Sequence, residues 1–326
     1  MSLDSMADIL HCMEQEGKEF WEVVLAADME ERQVSRESSL AKMLTTWQAM
    51  VDASDSYTGD RRSVSGLVGG DGLKMRQYAI RGKAMSGGYV SEVIAEALSM
   101  AESNACMRRI VAAPTAGACG VLPAVLLPLC KYEELNQRQI LEALYVASGI
   151  GAVIAYRACI AGAAGGCQAE IGVAVSMASA ALCSMMTDDP DTIHCAASLG
   201  GQVLMGLLCN PIEGYVQVPC IVRNMAAVPT AVSCANAALA GMDHIVPLDD
   251  VVALMLAVGE KIRPCDEAGT YILKKGGRIN GSTDIGAGDH PIFDGAGRCA
   301  GGLCRPPRCG GGGASLRHHG AGGAAP

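Results

Sequence analysis

The chain is poor in aromatic side chains: two Phe, two Trp and eight Tyr make up 4% of its 326 residues, although half of all residues are hydrophobic. A core of this composition has to close around Ala, Val, Leu and Met. With 40 Gly it points to closely approaching helices of small residues. An excess of positive charge is also lacking. The formal charge is −9 and the isoelectric point about 5.2, which excludes nucleic acid and an anionic membrane surface as expected partners. The first twenty residues, MSLDSMADILHCMEQEGKEF, lack a basic segment followed by an apolar run, so no signal peptide is read there. Clean two-residue alternation is scarce, which argues against strands. No Cys-x-x-Cys spacing occurs among the fifteen cysteines. A disulfide scaffold is the property of short secreted chains, and the expectation here is free thiols in a reducing cytoplasm.

What is present reads as an all-α protein. Residues 1–60 carry two amphipathic helices: Leu10, Met13, Phe20, Trp21, Val24 and Leu25 share one face, and Leu40, Met43, Leu44, Trp47 and Val51 share another. The stretch YTGDRRSVSGLVGGDGLKMRQY reads as a Gly- and Ser-rich loop. Further helices are expected over 87–103, 138–161, 170–187 and 191–208, inside a helical catalytic core spanning 61–262. Residues 110–130 are uncharged over twenty-one positions, long enough to cross a bilayer. They contain Pro114, Pro123 and Pro128, and a buried segment of a helical protein is the reading. From Arg263 the pattern fails. Residues 263–326 form an atypical tail whose Gly, Pro, Arg and Cys content is expected to be disordered. Cys299, Cys304 and Cys309 recur there at intervals that fit no zinc pattern.

Three cysteines stand out by context: Cys167 in GGCQAEIG, Cys209 in LLCNPIEGYVQ and Cys220 in VPCIVRN. Each lies beside a helix-breaking Gly or Pro, in a setting that can aim a thiolate and backbone N–H groups at one point, as iron–sulfur clusters require. Intervals of 42 and 11 residues (209−167 and 220−209) are not diagnostic. A shared metal site and three separate core cysteines both remain open on the residues alone.

These motifs, with RIVAAPTAGACGVLPAVL (109–126), GLVGGDGLKM (66–75) and ESNACMRRI (102–110), closely resemble the α chain of bacterial iron–sulfur-dependent L-serine dehydratase. The likeness covers about residues 60–262. It implies an all-helical catalytic domain and a [4Fe–4S] cluster on Cys167, Cys209 and Cys220, with Gly165 and Gly166 letting the backbone approach the cluster. Three ligands for four irons leave one iron open to act as a Lewis acid on the serine hydroxyl. Loss of water then leads to pyruvate and ammonia, without pyridoxal phosphate. The resemblance points to Thr115, Lys74 and Glu213 for catalysis, and to Ser65, Ser86, Asn104, Gly117 and Arg223 for the substrate. In residue terms alone, Thr115 and Gly117 form a turn between helices, and Ser65, Lys74, Ser86 and Asn104 serve equally well as local caps. Glu213 is either a base or a loop brace, and Arg223 either grips a carboxylate bidentately or sits in an ion pair. His194, His318 and His319 are weak candidates.

Three other readings stand beside this one. A pyridoxal-phosphate enzyme would need a Schiff-base lysine; Lys83 precedes a Gly-rich turn, but the Ser-x-Lys arrangement of that family is absent. A cluster-dependent elimination from L-cysteine and a non-catalytic subunit are the other two. Nothing in residues 1–60 resembles the Ser/His-rich β portion of the family, so a separate β subunit is expected as partner. The tail departs from the family pattern in the way GC-rich DNA reads out of frame, and a frameshift near residue 263 is the expectation.

Overall fold

In a computed structural model the described residues are 3–82, 84–210, 215–243 and 245–262, with the backbone of 272–273 and 279–280. Twelve α-helices form among them. The N-terminal set is α1 (Met6–Glu16), α2 (Phe20–Arg32) and α3 (Arg36–Asp55). These are followed by α4 (Asp71–Ile80), α5 (Gly87–Ala105), α6 (Val121–Tyr132), α7 (Gln137–Arg157) and the single turn α8 (Gly162–Gly165). The last four are α9 (Val173–Ser184), α10 (Pro190–Gln202), α11 (Gln217–Leu239) and α12 (Leu248–Ile262). Two short antiparallel strands, β1 (Ile272–Leu273) and β2 (Ile279–Asn280), are the only sheet among the described residues. The protein is all-α, as its sequence predicts.

The small-residue helix α9 is the hub. Eleven of its twelve residues are Ala, Val, Ser, Cys or Met, Val173 to Cys183 are buried, and it packs against α7, α10 and α11. Short side chains let the helix axes come close, so dispersion contacts replace the area that aromatics would otherwise bury. By length and composition, α7 and α11 could each span a membrane; here 61% and 44% of those apolar windows lie inside the bundle. The uncharged run 110–130 is divided between a loop, a 3₁₀ turn (Ala116–Ala118) and α6.

Two expectations need correction. The first 60 residues hold three helices rather than two. Gly17 takes a left-handed φ of 61° and ends α1, and Glu19 forms a capping box with Glu22 that starts α2. The segment read as a loop contains α4. Its N-terminus is capped from a distance: the Glu102 carboxylate on α5 accepts the N–H groups of Gly70, Asp71 and Gly72 at 3.0, 2.7 and 3.3 Å, and the Tyr57 hydroxyl as well. A cap 30 residues away leaves no local signature.

The N-terminal helices are bound into the same body. Asp249 on α12 accepts from the N–H of Met6 at 2.9 Å and of Ala7 at 3.1 Å, and pairs with Arg157 on α7 at 2.6 Å. Buried Ser39 on α3 shares a hydrogen bond with the Tyr145 hydroxyl on α7. His194 is buried in α10, where its Nε2 accepts the N–H of Leu248 at the head of α12.

Candidate functional site

The site forms where a break in helical regularity meets the start of α11 and the end of α12. After α8, Gly166 adopts φ 74° and ψ −179°, a region open essentially to glycine. A Cβ there would stand 2.8 Å from both the Leu207 carbonyl and Ile262 Cδ1. Gly165 likewise faces Ala169, whose Cβ would lie 2.7 Å from an added one. Gly166 therefore approaches the protein's own Cys209 loop and α12, whereas Gly165 approaches Ala169. Residues Gln168–Gly172 then form one turn of π-helix, a device common at functional positions. It sets Cys167, Gln168 and Glu170 in a register that a regular helix would not give.

The three cysteines converge. The Cys167 thiol donates to the Cys209 sulfur, and Cys220 lies within electrostatic reach of both. Cys167 is 1% exposed. That hydrogen bond, with burial, holds the proton on Cys167, while the same bond brings the Cys209 thiol down to about 7. Burial pushes Cys220 up to about 12. The Arg223 guanidinium, on α11, donates to Cys167 Sγ from one nitrogen and to Asn210 Oδ1 from another. Among the described residues, no three His, Cys, Asp or Glu side chains gather closely enough to share one metal ion. A cluster does not ask that of them, because each thiolate of an iron–sulfur cube sits on a different iron. Three thiols, a guanidinium on one sulfur and a glycine-shaped loop are a donor set of the right chemistry for that group.

Gln168, 1% exposed, braces this corner. Its Nε2 donates to the Met255 carbonyl on α12 at 2.9 Å, and its Oε1 accepts the Gly206 N–H at 2.8 Å. Asn224, fully buried, does the same on the other side. Its Oδ1 accepts the Gly120 N–H at 2.9 Å, and its Nδ2 donates to the carbonyls of Gly117 at 2.6 Å and Cys220 at 2.8 Å.

Beside the thiols lies Glu170. Its Oε1 accepts the Thr115 hydroxyl at 2.8 Å, and Gly162 donates a backbone N–H to the carboxylate. Burial raises its pKa above the ordinary carboxylate range, against the pull of Thr115, Gly162 and Arg223. The carboxylate is walled by glycine: an added Cβ at Gly117 or Gly162 would stand 2.7 or 2.5 Å from Oε2. Glu170 has no role among the residues singled out from the sequence. Its signal was a lone acid in an apolar helix three residues after Cys167. Gln168 and Asn224 gave no signal beyond their adjacency to the cysteine motifs.

The remaining candidates divide. Thr115 and Gly117 are at the site, and Asn104 supports them by donating to the Ala116 carbonyl at 2.9 Å. Ser65 is tied to the head of α11 through Gln217 Oε1 at 2.6 Å. Lys74 is exposed and paired with Asp71 at 2.7 Å on α4, and Ser86 shares a hydrogen bond with Ser91 at the start of α5. The structure does not bring these two to the thiols. The Arg223 fork is occupied by Cys167 and Asn210 rather than presented to a ligand. Glu213, Lys83, His318, His319 and the tail cysteines lie outside the described residues, as does the frameshift segment apart from the two strands.

The comparisons with known proteins agree with this geometry. The probable L-serine dehydratase α chain of Bacillus subtilis is 35% identical over 239 residues, covering 73% of this chain and 80% of that protein. The L-serine dehydratase α chain of Peptoniphilus asaccharolyticus is 34% identical over 261 residues, 80% of this chain and 89% of the relative. L-serine dehydratase 2 of Escherichia coli is 43% identical over 166 residues, which are 50% of this chain and 36% of that longer protein. With the family model for the serine dehydratase alpha chain matching residues 15–267, a span that holds every cysteine, glutamate and threonine of the site, this chain belongs to the serine dehydratase α-chain family.

Proposed function

We propose that the chain is the catalytic α subunit of an L-serine dehydratase that converts L-serine to pyruvate and ammonia in the cytoplasm, with a [4Fe–4S] cluster held by Cys167, Cys209 and Cys220. The observation that carries this reading is the convergence of those three thiols beside a Thr115–Glu170 pair. When bound, the cluster supplies a Lewis-acidic iron for the substrate hydroxyl. The eleven cysteines among the described residues are free thiols, which suits a reducing compartment.

The chain's own residues handle the proton. A threonine hydroxyl has one proton and two acceptor lone pairs. Because Thr115 gives that proton to Glu170 Oε1, its lone pairs face outward to accept the Cα proton of serine while the hydroxyl proton passes to the carboxylate. Burial raises the pKa of Glu170, so its ionised carboxylate is a stronger base and a competent acceptor. Loss of the α-proton and of the hydroxyl as water leaves aminoacrylate, which tautomerises to the imine and hydrolyses to pyruvate and ammonia. Arg223 positions two ligand loops by bonding Cys167 and Asn210, and Asn104 and Asn224 fix the 115–118 turn where the substrate carboxylate is held. No pyridoxal phosphate takes part. A separate β chain completes the enzyme, in keeping with the α-chain names of the relatives.

The test is iron and acid-labile sulfide analysis of the anaerobically purified chain, with serine turnover assayed in the presence of the β chain. Cys167→Ser, Cys209→Ser and Cys220→Ser should each abolish the iron–sulfur absorbance, while Cys130→Ser keeps it. Glu170→Gln should retain the absorbance and lower kcat by about 10²–10⁴-fold, the usual worth of a proton acceptor. Three single mutants with a full iron complement would overturn the ligand set. Wild-type turnover by Glu170→Gln would overturn the proton path.

A further inference from the structure

On the side formed by α3, α4, α5 and α6 lies a cleft of about 470 Å³ that shares no lining residue with the cysteine site. Five charged side chains line it: Asp55, Glu92 and Glu96, against Arg76 and Lys131. Glu96 is only 7% exposed. Its Oε2 pairs with Arg76 at 2.9 Å, but its Oε1 is buried with no hydrogen-bond partner. An unsatisfied buried carboxylate oxygen is costly and uncommon in a folded protein. Lys131, exposed at the end of α6, makes no ion pair among the described residues. The cleft therefore presents two unmatched poles of opposite sign, an acceptor at Glu96 and an ammonium at Lys131. Apolar walls from Val51, Leu127 and Pro128 separate them.

We propose that this cleft binds a small zwitterion of the amino-acid class, its ammonium group on Glu96 and its carboxylate on Lys131, as a site separate from the catalytic one. The charges select that class. A divalent cation would meet Arg76 and Lys131 at close quarters, and a simple anion would meet three carboxylates. A neutral molecule would leave both poles unpaired. The ammonium donates to Oε1 while Oε2 keeps its bond to Arg76, so binding adds a charge-assisted hydrogen bond without breaking one. Glu92, whose carboxylate among the described residues is engaged by the Tyr132 hydroxyl at 3.4 Å, gives the ammonium a second acceptor.

Calorimetric titration of the full chain with glycine, β-alanine and γ-aminobutyrate tests this, since none carries the β-hydroxyl that the proposed reaction eliminates. At least one should bind the wild-type chain. Glu96→Gln and Lys131→Met should each weaken that binding by about tenfold or more, as expected for a lost charge-assisted contact. n-Butylamine, which has only the cationic pole, should bind wild type and Lys131→Met alike and lose affinity in Glu96→Gln. Cys167→Ser should bind as wild type does, which separates this site from the cysteine site. Lys131 is on the surface, so Lys131→Met should melt at the wild-type temperature. Absence of binding by all three zwitterions, as when a water satisfies Oε1, would overturn the proposal. So would binding indifferent to Glu96 and Lys131, or binding lost with Cys167.

Discussion

Replacing Asn224 by leucine keeps the approximate volume of the side chain and removes all three hydrogen bonds it makes. Two of those bonds join α11 to the 115–120 segment: the Gly120 N–H at 2.9 Å and the Gly117 carbonyl at 2.6 Å. Asn224 is fully buried, so water cannot step in without opening the packing. The third bond, to the Cys220 carbonyl, stays within α11, and that carbonyl keeps its helical partner. The stranded buried Gly120 N–H costs about 1–3 kcal/mol and the part-buried Gly117 carbonyl adds a smaller amount, for a loss of about 2–4 kcal/mol. For a chain of this size, about 2–4 °C of melting temperature goes with each kcal/mol. A drop of about 10 °C in a circular-dichroism melt is the expected result. Asn224→Asp should do no better, because it keeps the acceptor for Gly120, loses both donors and buries a charge near Glu170. A leucine variant melting within about 2 °C of wild type would refute the claim that these bonds hold the turn.

Gly166→Ala should destabilise the loop and lower iron retention by the purified chain, since a Cβ at 2.8 Å from the Leu207 carbonyl and Ile262 adds to the strain of a positive φ; iron content equal to wild type would count against the packing described. Asp189 caps α10 by accepting the Thr192 N–H at 2.9 Å, and hydrogen bonds from the Thr192 side chain and backbone lower its pKa. Its contribution is present above the unfolded-state pKa and is lost as pH falls through the lower folded value. Asp189→Ala should therefore cost about 1 kcal/mol at neutral pH, and the difference from wild type in urea unfolding should shrink as the pH is brought below about 4.

The helices were legible where one face repeats at helical spacing: α5 and α7 fall within a few residues of their expected limits, because periodic burial sets both existence and extent. The misreadings came from partners far away in sequence. Helix α4 starts on a carboxylate from α5, and the split of α1 from α2 depends on one left-handed glycine. The cysteines were legible as three unusual contexts, but their meeting depends on Gln168 and Asn224, amides that look ordinary in sequence. Glu170 went without a role for a related reason. Its partner Thr115 is 55 residues away, and only the π turn after Cys167 aims it there. Arg223 was read as a grip on a carboxylate or as half of an ion pair, whereas its guanidinium is spent on Cys167 and Asn210, because sequence shows charge and not occupancy.

The Asp249 carboxylate bears on how the chain is made as well as on how it is held. Its two oxygens receive the first amides of α1, over separations of 243 and 242 residues. During synthesis α1 leaves the ribosome long before α12 and meets its cap only after α12 has followed. Helix α1 is thus among the last of these elements to find its place, although it is translated before α2 to α12. Chain termination anywhere before residue 249 would leave it with open amides, whereas loss of everything after residue 262 would leave this clasp intact.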